Sequence, residues 1–331
     1  DVAHVEALDL GLNLIDDAGD AAQAGKSNQA IASALSVLLN PGDEVVIPAP
    51  YWTSYPDMVY LAGGKPVIVS AKPSEGYLVR PSELIRACSP RTKMIILNSP
   101  SNPTGAAYSA AELEAFADAV SSLKNCSSLV VLCDEIYEYF VYDGFKHISL
   151  ASVAPSLKEN ILIVNGFSKA YAMTGWRVGY AAGPQPLIDV MATHQSQFTS
   201  NVCSIAQYAA AAAYEDRGAF PREMIGEFSK RLDMICNVID RLRGALTLAA
   251  RPRGSFYAFL RIEGVLGKRD GDYVINSAND FCNYLLEKHD LAVVTGEAFG
   301  DDRAIRLSFA VATDVLARAL ERLERAAAAL K

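Results

Sequence analysis

Between residues 25 and 183 the chain alternates short, strongly apolar, β-branched runs with segments of helical periodicity, and this succession limits the available folds more than any other feature. The runs cover residues 44–47, 66–70, 93–98, 129–133, 161–164 and 178–181. Near-continuous apolar runs, rather than an in–out alternation, are what strands covered on both faces require. Helices are predicted over 28–39 and 110–123. The second is opened by Ser109 with Glu112 three residues on, a capping box that satisfies otherwise orphaned amides. Strands and helices in succession predict an α/β domain, a mostly parallel sheet between helices.

After Gln207 the pattern turns helix-rich: an amphipathic stretch near 221–243, a strand at 255–261, a helix near 277–288, strands near Val293 and at 305–309, and a last helix over 314–329. This reads as a smaller α+β domain. Residues 1–24 are acidic and Ala-rich, with a helix expected to about Ile15 and a loop after it. The expected organisation is an atypical or truncated N-terminal segment (1–24), a large domain (25–215) and a small C-terminal domain (216–331).

Composition excludes several functions. A net charge of −8 argues against a general nucleic-acid or membrane-surface binder, since either needs a concentrated basic face. No run approaches the ~20 apolar residues of a membrane helix. The six cysteines are dispersed, without a CxxC pair or a Cys/His cluster, so structural zinc is not expected and a reducing compartment is. No basic-then-apolar leader opens the chain at Asp1. The expected location is the cytoplasm, or an organelle matrix or stroma if a targeting segment was lost, and not the exterior.

Four segments carry chemistry through their order. Asn98-Ser99-Pro100-Ser101-Asn102-Pro103-Thr104-Gly105 follows a strand and by itself reads as a turn. Cys133-Asp134-Glu135-Ile136-Tyr137 ends an apolar strand, where carboxylates of a parallel sheet face a ligand crevice or merely solvent. The segment from Asn165 to Tyr180 holds Lys169 among Ser, Gly and aromatic residues between two apolar strands; a surface loop is the ordinary alternative. Arg306 stands inside the apolar run Ile305-Arg306-Leu307-Ser308-Phe309, where an edge-strand charge is the ordinary alternative.

Taken in order, SNPTG, DEIY, SKAYAMTGWRVGY and IRLSFA resemble the signature series of class I aminotransferases of pyridoxal phosphate (PLP) fold type I. PGDEVVIPAPYW, DEIYEYFVYDGF and SKAYAMTGWR are similar to the branch of bacterial-type aspartate and prephenate aminotransferases. The resemblance implies that Lys169 carries the cofactor as a Schiff base and moves the substrate proton. It implies that Asp134 pairs with the pyridine nitrogen, that Tyr137 and Asn102 bond the cofactor's phenolate oxygen, and that Trp52 stacks on the ring. Arg177, eight residues after the lysine, matches the phosphate-binding arginine, with Lys26, Ser27 and Asn28 as the helix-start cradle and Ser168 as a further contact. Arg306, with Asn102, matches the grip on the substrate α-carboxylate. A serine that some branches carry three residues before the lysine is Gly166 here.

The implied protein is a homodimer whose substrates are an amino acid, aspartate or glutamate, and a 2-oxo acid, 2-oxoglutarate, oxaloacetate or prephenate. The same scaffold also hosts aromatic or kynurenine transaminases and C–S β-lyases. Family members have a longer portion before the phosphate cradle, and residues 16–20 do not resemble the strand expected there. That portion is expected to be missing or replaced, which keeps an inactive, shortened homologue among the readings.

Overall fold

The structure, a computed structural model, describes residues 21–24, 27–124, 126–242 and 244–331. The helix expected before Ile15, and Lys26, lie outside the described residues.

Seven strands form the main sheet: β1 (Ala21–Ala24), β2 (Glu44–Ala49), β3 (Lys65–Ser70), β4 (Thr92–Asn98), β5 (Val130–Asp134), β6 (Ile161–Gly166) and β7 (Gly179–Ala182). Their order across the sheet is β1-β7-β6-β5-β4-β2-β3. β7 runs antiparallel to both its neighbours, and the pairs from β6 to β3 are parallel. The helices between them are α1 (Ser27–Leu38), α2 (Ser54–Leu61), α3 (Pro81–Ala87), α4 (Ala110–Ser121), α5 (Leu150–Val153) and α6 (Phe167–Ala170), and α7 (Gln185–Phe198) and α8 (Ser204–Glu215) follow β7.

The apolar runs of β2, β4 and β5 form strands because both faces of the sheet are covered there, whereas β3, at the edge, leaves Ile68 exposed. Val45, Ile47, Met94, Ile96 and Leu132 pack on one side with Ile31 and Leu35 of α1. Their immediate neighbours Val46, Ile95, Leu97, Val131 and Cys133 pack on the other with Leu113, Phe116 and Val120 of α4. Each fully buried side chain of this size contributes ~1.5–3 kcal/mol. The capping box at α4 forms: Glu112 N–H donates to Ser109 Oγ, and Ser109 N–H to Glu112 Oε2 at 2.7 Å. All six expected strands of this region are present, with ends shifted by at most two residues. The loop expected over 16–24 is corrected at its end, where Ala21–Ala24 is a strand paired with β7. An Ala-Ala-Gln-Ala sequence carries little strand preference of its own, so its neighbour decides the conformation.

The remaining elements are α9 (Ala219–Arg241), β8 (Thr247–Leu248), β9 (Tyr257–Arg261), β10 (Arg269–Asp270), β11 (Tyr273–Val274), α10 (Ala278–His289), β12 (Val294–Thr295), β13 (Ala304–Ser308) and α11 (Thr313–Ala329). A second sheet, antiparallel in the order β12-β13-β9-β8, packs on the apolar stripes of these helices, such as Leu316, Leu320 and Leu323 of α11. Its core also takes in Ile136, Tyr137, Phe140 and Tyr142 from the chain leaving β5. The second sheet is thereby seated over the carboxyl ends of the parallel strands. No helix among the described residues is long and apolar enough to cross a membrane.

Candidate active site

β4, β5 and β6 deliver their last residues to one edge of the sheet, where Asn98 lies opposite Asp134 in register. After Gly166 the chain turns directly into α6, which carries Lys169. The amino end of α1 reaches the same edge. A cavity of about 370 Å³ opens there. Of the eleven residues singled out in the sequence, Ser27, Asn28, Trp52, Asn102, Asp134, Tyr137, Ser168, Lys169, Arg177 and Arg306 all line it, and Lys26 is outside the described residues. The carboxyl edge of a parallel sheet is where ligand crevices form, because the connecting loops diverge there.

Asp134 is buried. It accepts a hydrogen bond from the Tyr55 hydroxyl at 2.6 Å on Oδ2 and one from the Ile136 amide at 3.3 Å on Oδ1. Burial pushes its carboxyl up to about 6, against the pull of those two bonds; Glu135 raises it further and Lys169 opposes the rise. Burial lowers the Lys169 ammonium below its ordinary value, the Arg177 and Arg306 cations add to that, and Asp134 works against it. The result favours a neutral amine more than an exposed lysine would. Its Nζ lies 5.9 Å from the centre of the Phe256 ring.

Tyr137 is buried with its hydroxyl 3.1 Å from that of Tyr257, and burial holds it well above the ordinary phenol range. It is therefore a neutral phenol at any ordinary pH. Asn98 ties the turn to the strand end: its amide donates to the Asp134 carbonyl at 2.9 Å, and its Oδ1 accepts from Asn102 N–H at 2.9 Å.

The two arginines are held differently. Arg306 lies between the Tyr257 and Phe299 rings, 4.5 and 4.7 Å from their centres, and donates through Nη1 to Asn102 Oδ1 at 2.9 Å. Arg177 adopts a left-handed backbone (φ 56) and donates to the Thr174 carbonyl. The Nε–H of each is buried with no protein partner. Lys169, Arg177 and Arg306 face a single carboxylate, Asp134, among the lining residues, so the cavity is cationic in a chain of net charge −8. Two orphaned guanidinium donors in one cleft suit a ligand with two anionic groups.

Trp52 meets Tyr55 edge to face, with ring centres 5.1 Å apart. Ser27 is buried at the start of α1, beside Gly166. A Cβ at Gly166 would lie 3.0 Å from Gly179 Cα and 3.1 Å from the Val178 carbonyl, so a side chain there requires the backbone at 178–179 to give by a few tenths of an ångström. Lining residues not singled out in the sequence include Tyr55, Asn98, Thr174 and Tyr257. Asn98 was legible as part of the turn segment. Tyr55 and Tyr257 carry no local signal, since each stands among other aromatics, Tyr51 and Trp52 in one case and Phe256 and Phe259 in the other, and reads as one more core ring.

Comparison with known proteins identifies the family. The family model described as aminotransferase class I and II matches residues 13–323. The chain is 45% identical, over 91% of its length and 74% of the relative's, to the aspartate/prephenate aminotransferase of Cereibacter sphaeroides. It is 44% identical to an aspartate aminotransferase of Rhizobium meliloti, covering 91% of this chain and 72% of that one. The crystal structure of the aspartate aminotransferase from Rhizobium meliloti superposes with a TM-score of 0.89 at 42% identity, over 94% of this chain and 77% of that one. The Thermus thermophilus aspartate aminotransferase with maleate superposes at 0.86 and 35% identity, over 97% and 80%. The chain belongs to the class I and II aminotransferases, which use pyridoxal phosphate to move an amino group between an amino acid and a 2-oxo acid.

Proposed function

We propose that this aminotransferase takes its amino group from aspartate or glutamate and passes it to 2-oxoglutarate, oxaloacetate or prephenate, working as a homodimer. The observation that carries the reading is the single cationic cavity in which Lys169, Asp134, Arg177 and Arg306 meet. The substrate choice is supported by relatives named aspartate and aspartate/prephenate aminotransferases at 38–45% identity.

The residues fit pyridoxal phosphate. The orphaned Nε of Arg177, the backbone donors at the start of α1 around Ser27 and Asn28, and Ser168 provide for a phosphate, with Lys26 preceding them in sequence. Asp134 would hold the pyridine nitrogen, Tyr137 and Asn102 the phenolate oxygen, and Trp52 the ring face. Bound there, the cofactor supplies an electrophilic carbon for an amine and a sink for electrons released at the substrate Cα. Lys169 Nζ, with its ammonium form disfavoured, takes up the Cα proton and returns it. Arg306 orients the substrate through the carboxylate that all amino acids share, and its bond to Asn102 fixes the fork in place. Tyr257 and Phe299 keep water from both faces of that guanidinium.

The homodimer is supported by an apolar face beside the cavity. Phe198, Ile205 and Tyr208 are 76%, 70% and 78% exposed, and a cleft of about 710 Å³ on this face shares Arg177 with the active site. We place the domain boundary near residue 215, at the end of α8, which leaves the second sheet and its helices as one unit.

Steady-state assays with aspartate and glutamate as donors and the three oxo acids as acceptors test this reading. Stoichiometric conversion of the donor to its oxo acid is expected. Release of pyruvate and ammonia from cysteine conjugates, without accumulation of pyridoxamine phosphate, would instead make the protein a lyase.

A further inference from the structure

The carboxylate assigned to the pyridine nitrogen is held by a residue that no motif marks. Tyr55 and Asp134 are 1% and 5% exposed, and their 2.6 Å hydrogen bond joins α2 to the end of β5 across 79 residues of sequence. The only other hydrogen bond to that carboxylate among the described residues comes from the Ile136 amide, at the longer distance of 3.3 Å. Tyr55 is itself fixed. Its backbone amide donates to the Trp52 carbonyl at 3.0 Å, and its ring packs edge-on against Trp52. One turn of chain therefore carries both the aromatic assigned to the cofactor's ring face and the donor to the carboxylate assigned to its nitrogen.

We propose that Tyr55 is a positioning residue that keeps Asp134 ionised and in a single orientation, and so sets the lower pH limit for holding the cofactor. The inference rests on the assignment of Asp134 as the pyridine partner.

An isolated carboxylate in a dry site takes up a proton, and a neutral carboxyl cannot stabilise a pyridinium. Four groups bear on Asp134 besides the Ile136 amide. Tyr55 from α2 and Lys169 from α6 favour the ionised form, Glu135 next in the chain opposes it, and the Tyr137 phenol in the following turn stays uncharged. Burial and the neighbouring Asp134 hold the Tyr55 phenol well above its ordinary range, so Tyr55 remains a donor at every working pH. Replacing it by phenylalanine keeps the ring and the Trp52 contact and removes only the donor. Loss of a hydrogen bond to a charged group raises the carboxyl by ~1–2 pH units. Protons bind Asp134 below its pKa, so the window in which they displace the pyridinium partner moves up towards neutrality.

The test uses the full chain with aspartate 13C-labelled at the side-chain carboxyl, in wild-type, Tyr55→Phe and Asp134→Asn forms. NMR titration follows the Asp134 signal in cofactor-free protein, with Asp134→Asn providing the assignment. Pyridoxal phosphate affinity and the 15N shift of its labelled pyridine nitrogen are then measured from pH 6 to 9. In Tyr55→Phe the Asp134 titration should move up by ~1–2 pH units. Cofactor affinity should fall roughly 2- to 10-fold at pH 7 and match wild type at pH 9. A titration that coincides with wild type overturns the inference. If Asp134→Asn leaves both affinity and the 15N shift unchanged, the Asp134 assignment fails instead. Should Tyr55→Phe not fold, 3-fluorotyrosine at position 55 keeps the shape and is a stronger donor. The Asp134 titration should then move down, and its failure to move overturns the inference equally.

Discussion

Arg306→Lys separates a charge from a fork. Arg306 is oriented by Asn102 through Nη1 and by two aromatic rings, and its remaining donors, including the orphaned Nε, are free for a substrate carboxylate. Lysine keeps the cation but cannot bond Asn102 and present two parallel donors together. Losing one charge-assisted hydrogen bond costs ~1.5–3 kcal/mol, and the poorer fit between Tyr257 and Phe299 adds ~0.5–1 kcal/mol. The sum, ~2–4 kcal/mol, is a fall of roughly 30- to 900-fold in kcat/KM. Steady-state kinetics with aspartate, glutamate and phenylalanine as donors should show the same factor for each that is turned over, because all present the same α-carboxylate. Pyridoxal phosphate affinity should not change. A defect confined to the dicarboxylic donors would move Arg306 to side-chain recognition, and loss of cofactor would move it to the phosphate.

Borohydride reduction of the purified holoenzyme followed by peptide mapping should label Lys169; in Lys169→Ala that label should disappear and turnover fall by at least ~10²–10⁴-fold. In cofactor-free protein, Asp134 has a folded pKa of about 6, raised above the ~3.9 of an unfolded chain, so its contribution to stability is full below pH ~4 and is lost as pH rises through 6. Urea unfolding should therefore show wild type losing ~2–3 kcal/mol relative to Asp134→Asn between pH 4 and 7. Phe299→Leu removes one face of the cation–π sandwich, worth ~0.5–2 kcal/mol, and should raise KM for every amino acid with kcat nearly unchanged. Tyr208→Glu places a charge on the exposed apolar face; sedimentation velocity should show a smaller species than wild type, and an unchanged distribution would put the dimer contact elsewhere.

What could be read in the sequence follows how far each signal reaches along the chain. Met94-Ile95-Ile96-Leu97 announces a strand because four successive side chains need burial, and all four are buried, on alternate faces. The Ser109–Glu112 cap spans three residues and is equally visible. By contrast, α7 begins at Gln185, well before the helix-rich region anticipated after Gln207, and buries only Ile188 and Met191, too few to show a periodicity. The strand at Ala21–Ala24 exists through β7, more than 150 residues on. Within the site, the lysine, aspartate and arginines could be named because they stand in ordered motifs. Tyr55 and Tyr257 act through partners 79 and 120 residues away, and nothing local distinguishes them from core aromatics.

The same distances explain why the site is built across two sheets. Arg306 on β13 stands opposite Phe259 of β9, and Ser308 opposite Tyr257, so Arg306 and Tyr257 project from one face of the second sheet. That face meets the turn after β4, where Asn102 accepts from Arg306. The large sheet brings Asp134, Lys169 and Arg177 to its own edge. Each sheet thus holds buried or half-buried charges that its own side chains do not neutralise: an aspartate pushed up, a lysine pushed down and two arginines with orphaned donors. Such groups lower the stability of the free protein, and on the assignments proposed above a ligand carrying a pyridinium, a phosphate and a carboxylate would answer the aspartate and the two arginines together. Binding that satisfies them stabilises the folded chain by mass action in proportion to its affinity, so the cost left standing at the sheet edge becomes selectivity for a doubly anionic ligand.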